Sequence, residues 1–264
     1  MWFDSHCHIS AGDFEADRAQ VMERATESGV EGFVAIGSGY GIPHNARAVA
    51  LAECDPRVFA TVGVHPHEAQ TLDDAGRQAL EALLGHPRVV AVGEAGLDYH
   101  YMNSPREIQR EVFAEQVASA RARDLPVSVH VRGDEPDAFG EMLDIWRAEG
   151  RGAVRGVLHC YTGTLEFATI ALDAGFYISF SGILTFKNDR GLREVAAALP
   201  LERLMVETDA PLLAPEGFRG RRNEPAHVAR VGEALARTKG LAPEAVARAT
   251  THNARDLFRI GEAV

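Results

Sequence analysis

The run Asp4-Ser5-His6-Cys7-His8 sets two imidazoles one residue apart, with a carboxylate two residues before them. Side chains alternate along an extended strand, so residues two apart share a face. Asp4, His6 and His8 would then point one way and Cys7 the other. Imidazole nitrogens and carboxylate oxygens are the donors that hold zinc, manganese or magnesium. A His-x-His pair by itself is weak evidence for a metal. The chain adds further donors of the same kinds: His65 and His67 in GVHPH, Glu94 in VGEAGLDYH, His130 in VSVHVR, His159 in GVLHCYTG and Asp209 in VETDAP.

Each of these follows a short apolar run. Eight such runs stand at Trp2–Asp4, Gly32–Ile36, Val58–Val62, Val89–Val92, Val127–Val129, Val154–Leu158, Phe176–Phe180 and Leu204–Val206. Between them lie amphipathic segments predicted as helices at 13–28, 43–53, 73–84, 105–123, 135–149, 164–173, 189–198 and 225–238. In the fourth, Ser104-Pro105-Arg106-Glu107 reads as a capping box with Pro at the first helical position. Two short helices are expected to close the chain, near 243–250 and 253–258. Strands alternating with helices imply parallel strands joined by crossovers. Eight units in 264 residues match an α/β (β/α)8 TIM barrel formed as a single domain, 1–264. A doubly wound sheet usually carries a glycine-rich phosphate loop after its first strand, where this chain has DSHCH.

A barrel keeps its active site at the C-terminal ends of its strands. Metal-ligand side chains occupy six of the eight expected strand ends. His6, His8, Glu94, His130, His159 and Asp209 are more donors than one ion takes, and they suit two ions with Glu94 as the bridge. Glu207 shares a face with Asp209, whereas Cys7 and Cys160 are expected to face away from any metal.

In order, and over nearly the whole chain, DSHCH, GVHPH, VGEAGLDY, PVSVHVR, GVLHCYTG, FYISFSGILTFKN, ERLMVETDAPLLAP and GRRNEPAHV resemble the TatD family of metal-dependent hydrolases, within the amidohydrolase-like barrels. The resemblance implies that His6, His8, Glu94 and Asp209 hold one ion and that Glu94, His130 and His159 hold the other. It implies two divalent cations per chain (Mg, Mn or Zn) and deoxyribonuclease activity, typically exonucleolytic. Some relatives of the family are linked to other substrates, including aminoacyl-tRNA esters. Related barrels often bridge their metals with a carbamylated lysine on the fourth strand. Here the lysines are Lys187 and Lys239, so Glu94 reads as the one charged side chain available there. His100 stands where relatives often have Tyr, and is expected to be exposed.

On this reading water activated by two cations cleaves a phosphodiester, with Asp209 as general base. Asp4 and Glu207 either orient ligand histidines or hydrogen-bond within the barrel mouth. His65 is read as a catalytic group on the substrate side, contacting phosphate or the leaving oxygen. Arg132, Arg219, Arg221 and Arg222 are the candidate phosphate contacts. The net charge of −11 excludes a generally basic nucleic-acid binder. A site at the barrel rim admits a single strand or frayed DNA end more easily than the middle of a stiff duplex, with 3′→5′ polarity implied by the resemblance alone. The alternative is a metallohydrolase that attacks a carbonyl substrate (aminoacyl ester, amide or lactone) with the same site. Three scattered cysteines, no long apolar run and no signal peptide lead to the expectation of a cytoplasmic protein without membrane contact.

Overall fold

The computed structural model describes residues 1–133 and 137–261. Among them the strands are β1 (Trp2–Cys7), β2 (Val30–Ala35), β3 (Val58–Val62), β4 (Val89–Asp98), β5 (Val127–Arg132), β6 (Gly156–Leu158), β7 (Phe176–Phe180) and β8 (Leu204–Val206). The helices are α1 (Arg18–Glu27), α2 (His44–Cys54), α3 (Asp74–Leu84), α4 (Arg106–Arg123), α5 (Asp137–Gly150), α6 (Leu165–Asp173), α7 (Leu192–Ala198), α8 (Val228–Lys239) and α9 (Pro243–Phe258). The sheet runs β1 to β8 in chain order. The fold is the (β/α)8 barrel that the alternation predicts. No helix among the described residues is long and apolar enough to cross a membrane.

The chain divides into two compact units. One comprises Met1–Ala35, His159–Leu172 and the described residues from Tyr177 onward; the other comprises Ile36–Leu158 and Asp173–Phe176. In the first, β1 pairs in parallel with β2, and α8 and α9 pack on β1 and β8. Trp2 lies against α8 where a Cβ on Gly232 would overlap the indole, so the contact requires glycine. Asn253 of α9 donates its amide to the carbonyls of Leu201 (2.9 Å) and Leu204 (2.7 Å), which ties the helix to the entry of β8. The two predicted closing helices are one helix, because 250–253 stay helical and buried on the side that carries Asn253.

In the second unit β3, β4, β5 and β6 form a parallel ladder. β4 is buried along its whole length, as expected of a strand covered on both faces. It runs to Asp98, six residues past the apolar run Val89–Val92. Gly93 and Gly96 explain the close approach of β5: a Cβ on Gly93 would stand 2.7 Å from the Ser128 carbonyl oxygen, and one on Gly96 would overlap that of His130. α4 then grips the ends of two strands through buried amides. Gln116 bonds both backbone groups of Val64 (2.7 and 3.0 Å). Gln109 bonds both backbone groups of Asp98 (2.7 and 3.1 Å).

The predicted capping box is not made: Pro105 is the residue before α4, without a side-chain cap. Ser104 is engaged elsewhere. Its hydroxyl donates to the His67 carbonyl (2.9 Å) and accepts from the Gln70 amide (3.1 Å), bracing the turn after β3. The first residues of the predicted helix 135–149, 135 and 136, lie outside the described residues. α1 starts at Arg18, five residues later than predicted, after a 3-10 turn over Gly12–Phe14 that buries Phe14.

Candidate active site

In the first unit His6 lies in β1, His8 directly after it, and Asp209 three residues beyond β8. The backbone delivers Asp209 to β1: its N–H donates to the His6 carbonyl (2.9 Å), and its φ is +54°. The result sets Asp209 Oδ1 3.6 Å from His6 Nε2 and 3.4 Å from His8 Nε2. Burial alone would raise the Asp209 carboxyl, but the His8 contact and the facing His6, His8 and His159 rings outweigh it and hold it below its ordinary value.

His159 stacks on His6, with ring centroids 3.9 Å apart. Its Nδ1 lies 3.2 Å from Glu207 Oε1, and a carboxylate only accepts, so Nδ1 donates and Nε2 carries the lone pair. Glu207 thus orients a candidate ligand histidine. Asp4 does something different. Its Oδ1 accepts from the Thr208 (2.9 Å) and His6 (3.4 Å) amides, and Oδ2 accepts from the Thr208 hydroxyl (2.6 Å), so it braces the segment that carries Asp209. Burial pushes the Asp4 carboxyl up to about 8, against the bonds from Thr208.

In the second unit Glu94 lies within β4, His130 in β5 and His65 three residues beyond β3. Glu94 Oε1 stands 2.8 Å from His130 Nδ1 and 3.4 Å from His65 Nε2. His65 was expected on the substrate side; it lies at ligand spacing from Glu94 and His130. Burial lowers the His65 imidazole to about 4, helped by His130 and His67 and opposed by Glu94, which keeps it neutral, the form that ligates. Its Nδ1 accepts the His67 amide (3.1 Å), so in the neutral ring Nε2 carries the proton and points it toward Glu94; an ion at Nε2 would replace that proton and require Nδ1 to give up the His67 bond.

Asp98 is the residue that the strand-end reading missed, and Glu94 is therefore not the one charged side chain on the fourth strand. Asp98 Oδ2 stands 2.7 Å from His67 Nε2 and 3.2 Å from His130 Nε2. Burial works to raise the Asp98 carboxyl, but bonds from His130, the Tyr101 amide and His67 hold it well below the usual range. The signal was present: Glu94, Gly96 and Asp98 follow the same period of two that links Asp4, His6 and His8.

The donor spacing fits metal ions. Ligands bound at about 2.1 Å around a tetrahedral ion lie about 3.4 Å apart. The Asp209 contacts to His6 and His8 have this separation, and so does Glu94 to His65. His130 gives a second test. Both its nitrogens face carboxylates, yet a neutral imidazole donates through only one. A second proton or a cation must therefore lie between His130 and one of these acids.

The arginines separate. Arg132, at the end of β5, lies over the Tyr101 ring (4.7 Å) and is exposed. Arg219 lies over Phe186 (3.7 Å). Arg221 is exposed. The Arg222 fork is bonded to both carboxylate oxygens of Asp17 (2.9 and 2.6 Å) and to the Asp13 carbonyl, so its phosphate-binding geometry is already taken. His100 is exposed, as expected.

Neither cysteine belongs to these donor groups. Cys7 Sγ reaches the Val34 carbonyl (3.6 Å), and Cys160 Sγ the Ser181 hydroxyl (3.1 Å). Cys7→Ala and Cys160→Ala should keep the metal content of the parent, with Cys7→Ala losing about 1 kcal/mol of stability to the small cavity. Loss of an ion in either variant, read by elemental analysis, would overturn the exclusion of the thiols.

Comparison with known proteins agrees over nearly the full length. Residues 3–259 match the family model described as TatD related DNase. The chain is 41% identical over 260 residues to the uncharacterized metal-dependent hydrolase YabD of Bacillus subtilis, covering 98% of this chain and all of that protein. It is 35% identical over 263 residues to the 3′-5′ ssDNA/RNA exonuclease TatD of Salmonella typhimurium, covering 98% of this chain and 99% of the relative. The crystal structure of YJJV, a TatD homologue from Escherichia coli, superposes with a TM-score of 0.91 at 30% identity, over 98% of each chain.

Proposed function

Because the chain belongs to the TatD related DNase family of metal-dependent hydrolases, we propose that it is a 3′→5′ exonuclease acting on single-stranded or frayed DNA ends through two divalent cations. The relative named as a 3′-5′ ssDNA/RNA exonuclease supports this substrate class. The observation that carries the proposal is the pair of acid–imidazole groups, the buried His6/His8/Asp209 and the largely buried His65/Glu94/His130, at the spacing of metal ligands.

His6, His8 and Asp209 would hold one cation and His130 and His159 the other, with Glu94 shared. The cations would neutralise charge on the phosphoryl oxygens and make the attacking water more acidic. Asp209 would accept the water's proton, since a carboxylate has lone pairs for both a ligand and a proton. Glu207, 3.2 Å from His159 Nδ1, would hold that ring with Nε2 free to ligate. His65 would either complete the Glu94/His130 group or bond the phosphate. Arg132, Arg219 and Arg221 are proposed to contact phosphate; Arg222 is committed to Asp17. The domain is proposed to act as one hydrolase over 1–264.

The test is product analysis on oligonucleotides labelled at either end, with titration of Mg, Mn and Zn. Expected are stepwise loss from the 3′ end, close to two ions per chain in the active protein, and complete loss of turnover with chelator. Efficient cleavage of aminoacyl or other carboxylic esters, with intact oligonucleotides, would replace the nuclease by the carbonyl hydrolase. A fully active protein holding one ion would remove the bridging role of Glu94.

A further inference from the structure

We propose, resting on the nuclease reading, that Tyr101 is a stacking platform for a nucleobase of the bound strand, with Arg132 as the cation for the adjoining phosphate. Tyr101 is 54% exposed, three residues past the end of β4 that carries Glu94 and Asp98. Met102 beside it is 45% exposed, which widens the apolar surface. Tyr99, two residues earlier, shows the contrasting case. It is half-buried and its hydroxyl donates to Glu141 (2.7 Å), so that ring is used within the fold, whereas Tyr101 has Arg132 over its ring and stays open to solvent over half its surface.

The backbone that carries the platform is anchored. Asp98 Oδ1 accepts the backbone N–H groups of His100 (3.0 Å) and Tyr101 (2.9 Å), while Oδ2 faces His67 and His130. One buried carboxylate therefore fixes both the aromatic turn and two histidines of the candidate site. A ring ordered before binding loses little freedom when a base stacks on it. The Tyr101 ring stands perpendicular to His67 at 5.5 Å, and His67 is 6.2 Å from His130. This separation suits a base next to the phosphate being cut.

The chemistry is that of single-strand recognition. Aromatic faces take any base, and positive charge follows the backbone. The Arg132 guanidinium over Tyr101 supplies that charge on an otherwise acidic chain. Such a platform binds strands without sequence preference and does not fit a base pair inside a duplex.

Tyr101→Ala, Tyr101→Leu and Tyr101→Phe in the metal-loaded enzyme test it, with steady-state kinetics on a single-stranded oligonucleotide and on the same strand carrying abasic nucleotides at its 3′ end. Tyr101→Ala and Tyr101→Leu should raise KM on the order of tenfold on the intact strand and leave kcat within about twofold. Tyr101→Phe should match the parent. On the abasic strand parent and variants should converge. An unchanged KM in Tyr101→Ala, or equal losses on both strands, would overturn the platform while leaving the nuclease intact. A parent enzyme that cuts neither strand would remove the nuclease reading and the platform with it.

Discussion

Asp209→Asn is expected to lower kcat on the order of 10³-fold, within the range that general acid–base groups contribute, while sparing most metal binding on the His130 side. Asparagine has the size of aspartate and tolerates the left-handed region that Asp209 occupies at φ +54°. The local backbone is held independently of the side chain, by the bond from the Asp209 N–H to the His6 carbonyl and by the Leu212 N–H donating to the Asp209 carbonyl (2.9 Å). The variant therefore changes charge and basicity with little change of shape. An amide oxygen can still face His6 and His8, but it takes up no proton near neutral pH. Turnover of a single-stranded oligonucleotide and elemental analysis of the same preparation read the two effects separately. A rate within about tenfold of the parent would show that another group accepts the proton.

Glu94→Gln is expected to weaken both ions together and to reduce kcat/KM by more than about 100-fold. Removing a partner one step away from a metal commonly costs 10–100-fold in affinity or activity, and the carboxylate is proposed to touch both cations. A neutral amide bridges two cations poorly, because one oxygen without net charge must offset both. The fold should survive. The Glu94 amide nitrogen donates to the Ser38 hydroxyl (2.8 Å), and that hydroxyl lies 3.2 Å from the Glu94 carbonyl, so β4 stays anchored through its backbone. Calorimetric titration of Mn into the metal-stripped protein should show both affinities lowered. Loss of one ion alone, with the other bound as in the parent, would confine Glu94 to a single cation.

Much of the molecule is legible in its amino-acid order. Strand and helix periods, and the apolar runs that β3, β7 and β8 follow residue for residue, determine the eight-fold alternation and hence the barrel. A barrel gathers its chemistry at the C-terminal ends of its strands, and His6, Glu94, His130 and Asp209 follow the apolar runs at that end. Local rules fail where a side chain is claimed by something distant in sequence. Ser104 leaves its capping role for His67 and Gln70, and Arg222 gives its fork to Asp17, 205 positions away.

Only the tertiary structure decides which donors are neighbours. Alternation can assign His65 and Asp98 to a face, but it says nothing about what stands opposite. The glycines at 93 and 96 let β5 lie close to β4, and the amide of Gln109 holds the strand end, so Asp98 meets His67 and His130. Likewise Asp209 reaches His6 and His8 through a backbone bond to β1 and a left-handed turn, neither of which has a periodic signature. Period and composition are properties of neighbours along the chain, and they determine the fold class and the kinds of donor. The distances that let donors share an ion arise between residues far apart in sequence, where close packing and a few backbone bonds decide the outcome.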